Sequence, residues 1–170
     1  MTRLIILRGY PGSGKTTIGK LLAADRIGNF IDHNAILTFL ARTTGDDEGI
    51  YDEIATLELA MCRKLLSEGK DVIVARGFSS LASLQAYENM AQTLYVPITI
   101  FRLDVSTAEL MSRVQSPERQ LGFNPTTSET QAQDWMTRHP IENHPDEITV
   151  DNERAISDVI AHLKTVLYSQ

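Results

Sequence analysis

The sequence predicts a three-layer α/β domain on a five-stranded parallel sheet, and three observations point there. Short apolar runs alternate with segments of helical periodicity, the order expected of repeated β-α units. The strand-like runs are continuously apolar, as strands covered on both faces are. The first of them, Leu4-Ile5-Ile6-Leu7, leads straight into a glycine-rich turn, followed by Ile18, Leu21 and Leu22 on one helical face.

Asn29-Phe30-Ile31-Asp32 reads as a second strand ending in a carboxylate, with a short helix from Asn34 to Arg42. Thr43 to Gly49 is a polar, acidic, glycine-bounded loop, read as a solvated turn rather than a metal site. Ile50, Ile54, Leu57, Met61 and Leu65 recur at helical spacing, and Gly69 stops that helix. Asp71 to Ala75 is the third strand, followed by Arg76-Gly77, and Leu81, Leu84, Tyr87, Ala91 and Leu94 mark the next helix. Pro97 opens a fourth strand, Ile98 to Leu103. Ser106 and Glu109 have capping-box spacing ahead of a helix carrying Leu110, Met111 and Val114, and Asp104 is a further capping candidate. Ser116 to Thr127 holds two prolines and a glycine and reads as a mobile loop. A short helix from Ser128 to Arg138 ends at His139-Pro140. Ile148-Thr149-Val150 is the fifth strand, and Asp151 suits a cap for an amphipathic closing helix carrying Ile156, Val159, Ile160, Leu163, Val166 and Leu167.

Residues 9–16, Gly9-Tyr10-Pro11-Gly12-Ser13-Gly14-Lys15-Thr16, fill every fixed position of G-x-x-x-x-G-K-[ST], the Walker A pattern. Glycines let such a loop wrap a phosphate, backbone N–H groups point inward, and the helix N-terminus adds partial positive charge. In that reading Lys15 reaches the β- and γ-phosphates, Thr16 gives its hydroxyl to Mg²⁺, and Thr17 joins the set as a first-turn helix residue. The ligand class is a nucleoside triphosphate. In a doubly wound fold the ligand lies at the carboxyl ends of the strands, so Gly9–Thr16, Asp32, Arg76 and Asp104 share one crevice.

With 170 residues, 42% hydrophobic and 22% charged, the chain has the size and composition of one soluble domain. No apolar stretch approaches the roughly 20 residues of a membrane span. No secretory signal is read at the N-terminus, and a lone cysteine, Cys62, excludes an internal disulfide and fits the cytoplasm. It is placed on the buried face of a helix. A net charge of −6 disfavours a broad nucleic-acid surface but allows a local basic cleft. His139 and His144 lack the company of zinc ligands.

The loop and the order of elements resemble the P-loop kinases of small substrates, a group that includes shikimate and gluconate kinases, nucleoside monophosphate kinases and chloramphenicol phosphotransferase. Zeta-toxin kinases and the kinase domain of polynucleotide 5′-kinases belong to it too, and the loop is most similar to that of these last two. The resemblance implies a three-layer P-loop NTPase fold with strand order 2-3-1-4-5. It further implies a single kinase domain over residues 1–170, a small lid about 116–138 that carries an arginine, and ATP with Mg²⁺ as cofactors. Asp32 falls where these kinases keep an aspartate after the second strand, acting as base on the acceptor hydroxyl or reaching Mg²⁺ through water. The competing reading is a helix N-cap. His33 beside it is a second candidate base or substrate contact. Arg119 in the lid is the candidate catalytic arginine, and Arg113 is placed either on the adenine or in a plain ion pair, with Arg138 a third option. Val150 to Glu153 is similar to the adenine-side loop.

The third strand ends in Arg76 where many P-loop enzymes carry an aspartate for Mg²⁺. Arg76 suits an anionic acceptor held by its guanidinium fork, or a surface ion pair. Trp135 is read as packing or as a base-stacking ring. The function expected is ATP-dependent transfer of the γ-phosphoryl group to a hydroxyl of a small molecule or nucleotide. The alternatives are a polynucleotide 5′-hydroxyl kinase and a nucleotide-binding ATPase or switch without an acceptor. The partners expected are ATP and the acceptor, with nucleic acid disfavoured by the acidic charge and no membrane.

Overall fold

A computed structural model of the chain describes residues 2–44, 50–117 and 128–169. Its elements follow the predicted alternation: β1 (Leu4–Arg8), α1 (Lys15–Ala24), β2 (Asn29–Asp32), α2 (His33–Thr44), α3 (Ile50–Ser67) and β3 (Val72–Ala75). Then come α4 (Leu81–Thr93), β4 (Ile98–Asp104), α5 (Thr107–Val114), α6 (Glu129–Arg138), β5 (Glu147–Asp151) and α7 (Ile156–Ser169). The sheet is parallel throughout, in the order β2-β3-β1-β4-β5.

Because strand side chains alternate between faces, β1 feeds two cores. Ile5 and Leu7 join Ile18 and Leu22 of α1 and Val159 and Leu163 of α7 on one face. Leu4 and Ile6 meet Cys62 and Leu66 of α3 and Leu84 and Tyr87 of α4 on the other. Each fully buried Leu or Ile contributes about 1.5–3 kcal/mol by its removal from water, so the two faces together fix β1 at the centre of the sheet. In register, Leu7 and Asp32 both lie opposite Ala75. The carboxyl ends of β1, β2 and β3 therefore finish level, and the chain leaves each of them on the same edge.

Helix α3 departs from the sequence reading. The expected stripe ran through Leu57, Met61 and Leu65, yet Leu57 is 41% and Met61 44% exposed. The buried row is Ile50, Ile54, Glu58, Cys62 and Leu66, one residue along from Leu57 onward. A row of i+4 steps drifts about 40° per step around a helix with 3.6 residues per turn. Ile50 and Ile54 accordingly face Leu37 and Leu40 of α2, while Cys62 and Leu66 face the sheet. Glu58 falls between them with no exposure.

Two capping expectations also change. The N-cap of α5 is Ser106, whose hydroxyl accepts from the Glu109 amide, rather than Asp104. Asp151 accepts from the Glu153 amide at 3.0 Å and pairs with Arg154, so it braces the turn before α7 instead of capping it. The loop Ser116–Thr127 lies, from residue 118 onward, outside the described residues, as do residues 45–49 of the acidic loop. Ser128 does cap α6, in a reciprocal box with Gln131.

Cys62 is buried as expected, and burial, then the charge of Glu58, pushes its thiol up to about 12. At pH 7 the folded protein therefore holds it as an inert neutral thiol. An aromatic disulfide reagent should label Cys62 only at the rate of unfolding; fast labelling under native conditions would show that α3 opens locally.

Candidate active site

Between β1 and α1 the chain wraps into the expected loop. Ser13 N–H donates to the Tyr10 carbonyl at 3.0 Å and Ile18 N–H to the Gly14 carbonyl at 2.9 Å, closing the loop onto the first turn of α1. Gly14 sits at φ +87°, and a Cβ there would lie 2.5 Å from Asn152 Nδ2. Left-handed backbone and close approach both demand glycine at that point. Lys15 reaches back across the loop, its Nζ donating to the carbonyls of Gly9 and Tyr10, each at 2.8 Å, and to Ser13 Oγ at 3.3 Å. An ammonium is thus held over the phosphate cradle. Thr16 is half-buried in the first turn of α1, and Thr17 is exposed on the same helix. No group of three acidic, histidine or cysteine side chains that could hold a metal exists among the described residues.

The nucleotide side is buttressed by two residues from distant elements. Asn152 Nδ2 donates to the Ser13 carbonyl at 2.6 Å, and Arg113 Nη2 donates to the Asn152 carbonyl at 2.8 Å while its Nε pairs with Glu109 at 2.7 Å. Of the two readings of Arg113, the ion pair is present, within α5, and a separate Nη2 bond to Asn152 links that helix to the loop. Arg119 lies outside the described residues. Arg138 pairs with Asp134 on its own exposed helix.

On the opposite side, the ends of β2 and β3 bring His33 and Arg76 onto one buried carboxylate, Glu58, with Asp32 next to His33 in the chain. Glu58 Oε1 meets His33 Nδ1 at 3.1 Å. Its Oε2 accepts from the Tyr87 hydroxyl at 3.3 Å and from Arg76 Nη1 at 3.4 Å. Burial and then the charge of Glu58 raise the Tyr87 hydroxyl, opposed by Arg76, so Tyr87 stays a donor. The Arg76 guanidinium carbon also stands 5.9 Å from the Phe78 ring centroid. Asp32 is engaged at both oxygens: Oδ1 accepts from the Asn34 amide at 3.1 Å, in the manner of a cap, and Oδ2 pairs with Lys20 at 3.2 Å. The sequence reading missed Glu58. Its spacing, i+4 from Ile54 and i−4 from Cys62, puts it in the buried row, but a charged residue there reads as solvent-facing.

Trp135 of α6 packs over this edge. Its ring lies edge-on to Tyr10 at 6.0 Å between centroids, and a Cβ on Gly77 would touch it at 3.1 Å. His139 lies against the same ring at 5.1 Å, and the Tyr10 hydroxyl accepts from the Ile141 amide at 3.2 Å. His144 bonds Glu88 at 2.9 Å. The packing reading of Trp135 therefore holds, and α6 rests on both the phosphate loop and the turn after β3. No helix among the described residues is long and apolar enough to cross a membrane.

A family model for an AAA domain, AAA_33, matches residues 4–140. A shikimate kinase of Phocaeicola vulgatus is 29% identical over 148 residues, spanning 85% of this chain and 81% of that protein. Two solved structures share the fold. One, from Chloroflexus aurantiacus and provisionally assigned as a kinase, aligns with TM-score 0.77 and 18% identity over 96% of this chain and 97% of its own. A gluconokinase from Sinorhizobium meliloti aligns with TM-score 0.62 and 19% identity over 99% and 97% of the two chains. With the parallel 2-3-1-4-5 sheet and the loop at its centre, the chain belongs to the AAA_33 family of AAA domains and is a member of the P-loop kinase superfamily.

Proposed function

We propose that the protein is an ATP-dependent phosphotransferase that moves the γ-phosphoryl group to a hydroxyl of a small molecule or nucleotide. The observation that carries this reading is the level edge where the loop, with Lys15 folded over it, faces Asp32 and His33 across a gap of two strand spacings, about 10 Å, with Arg76 at the end of the strand between them. A triphosphate on the loop and a hydroxyl compound on the β2–β3 side fill such a gap. The shikimate kinase relative and the gluconokinase-like fold support a small-molecule acceptor. The acidic charge speaks against nucleic acid. The lone buried cysteine supports a cytoplasmic protein.

In this reading the whole chain, 1–170, works as one domain with residues 116–138 as its lid. Gly9, Tyr10, Pro11, Gly12, Ser13, Gly14, Lys15, Thr16 and Thr17 bind the triphosphate, with Arg113 supporting from α5. Phosphoryl transfer is largely positioning and charge neutralisation. Lys15 supplies fixed positive charge at the β- and γ-oxygens, and Arg119 supplies it from the lid. Mg²⁺, held by Thr16, would screen the phosphate oxygens. Asp32 and Arg76 bind the acceptor, with Asp32 steadied by Lys20 and Arg76 by Glu58. Trp135 on Gly77 and Tyr10 shuts water from the cleft.

ADP release with ATP and Mg²⁺ tests the reading, with shikimate, gluconate, nucleosides and a 5′-hydroxyl oligonucleotide as acceptors. Stimulation of at least tenfold by a small acceptor is expected. Stimulation by the oligonucleotide alone, with salt-sensitive binding, would favour the polynucleotide kinase. Steady hydrolysis indifferent to every acceptor would favour the ATPase or switch.

A further inference from the structure

A carboxylate with no exposure costs several kcal/mol unless it is paired and hydrogen-bonded. Glu58 divides its two oxygens unequally. Oε2 takes Arg76 and Tyr87, the permanent cation and the neutral hydroxyl, and this satisfies its charge. Among the described residues, Oε1 has His33 Nδ1 as its partner. An ionised carboxylate can only accept, so neutral His33 carries its proton on Nδ1. Its Nε2 is then a lone-pair acceptor, with no partner among the described residues. The ring is 16% exposed, enough to meet a substrate and exchange protons with water. The neighbouring Asp32 accepts one hydrogen bond at each oxygen, from Asn34 and Lys20, and its remaining lone pairs serve to bind the acceptor. Among the described side chains of this corner, His33 Nε2 is an acceptor with no hydrogen bond of its own.

We infer that His33, oriented by Glu58, is the proton acceptor for the hydroxyl that is phosphorylated; this rests on the kinase reading above. The acceptor O–H bond breaks as its proton passes to Nε2. The oxygen forms a bond to the γ-phosphorus, and the bond from the γ-phosphorus to the β,γ-bridging oxygen breaks, with the electron pair leaving on ADP. The imidazolium, neutralised by Glu58, returns its proton to water. Glu58 from α3 faces the ring, with Arg76 and Tyr87 behind that carboxylate from the end of β3 and from α4, while Asp32, paired with Lys20, precedes His33 in the chain. Glu58 acts as a positioning residue.

The test uses the full chain with whichever acceptor supports ADP release. His33→Ala should lower kcat by about 10²-fold, with acceptor KM within threefold, and added imidazole should restore at least a tenth of the wild-type rate. Glu58→Gln offers His33 an amide able to hold either tautomer and should lower kcat about tenfold; titration with an ATP analogue checks that its loop is intact. Asp32→Asn should gain nothing from imidazole. The inference is overturned if His33→Ala keeps half the wild-type kcat, or if imidazole fails to restore it. If the wild type shows no acceptor-dependent turnover at all, the kinase reading falls and takes this inference with it.

Discussion

Lys15→Met lowers acceptor-dependent ADP release by about 10³-fold, while the free energy of unfolding stays within about 1 kcal/mol of wild type. The two halves of this result follow from what the ammonium touches. Its partners among the described residues include two loop carbonyls and one hydroxyl, Gly9, Tyr10 and Ser13. Gly9 is buried but Tyr10 is only partly so, and water can replace a donor at the rim of the loop. Stability therefore loses little. On the proposed kinase reading, turnover loses the fixed charge that would meet the γ-phosphoryl group as negative charge spreads over its oxygens. Methionine keeps the length and the apolar stem, so the comparison isolates charge. Stopped-flow ADP release and chemical denaturation of both proteins check the pair of outcomes. A variant that keeps a tenth of the rate would remove Lys15 from the transition state.

What was legible in the sequence follows from what each signal depends on. The phosphate loop is a local pattern whose geometry is set by its own glycines, and it forms where the sequence places it. The strands β1 and β3 are legible because both faces are covered, which leaves an unbroken apolar run. The carboxylate after β2 and the arginine after β3 are legible by position, since strand ends define the cleft. Glu58 is not, because a charged residue in a helix reads as solvent-facing. The apolar residues Leu57 and Met61 next to it draw the stripe one position off. Only tertiary partners, His33 from α2, Arg76 after β3 and Tyr87 from α4, make burial of that carboxylate affordable. Trp135 reads as a packing residue, but two of its partners, Tyr10 and Gly77, are far away in sequence and are not legible there.

Glu147→Leu destabilises the protein by about 3–5 kcal/mol, the largest loss expected from a single side chain outside the apolar core. The cause is Arg8. This residue ends β1, directly before Gly9, and has no exposed surface. Its Nη1 donates to Glu147 Oε2 at 2.8 Å, and its Nη2 donates to the carbonyls of Phe78 at 2.6 Å and Glu142 at 2.9 Å. Burial lowers the guanidinium below its ordinary value, the charge of Glu147 opposes that, and Arg102 adds repulsion. Arg102 itself leans on Glu147 Oε1 at 3.3 Å. Removing the carboxylate leaves two cations facing each other, one with no access to water. Arg8→Met combined with Glu147→Leu should recover most of the loss, because an apolar pair of similar volume replaces a desolvated ion pair at little net cost. Urea unfolding of the three variants measures this. If the double variant is no more stable than Glu147→Leu, the loss belongs to lost packing or to Arg102 rather than to a stranded Arg8. The same cycle reaches function, because Arg8 ties the strand beneath the phosphate loop to the turns at Phe78 and Glu142. In the double variant the fold returns but those two carbonyls lose their donor, so ATP-analogue affinity should stay below wild type after stability has recovered.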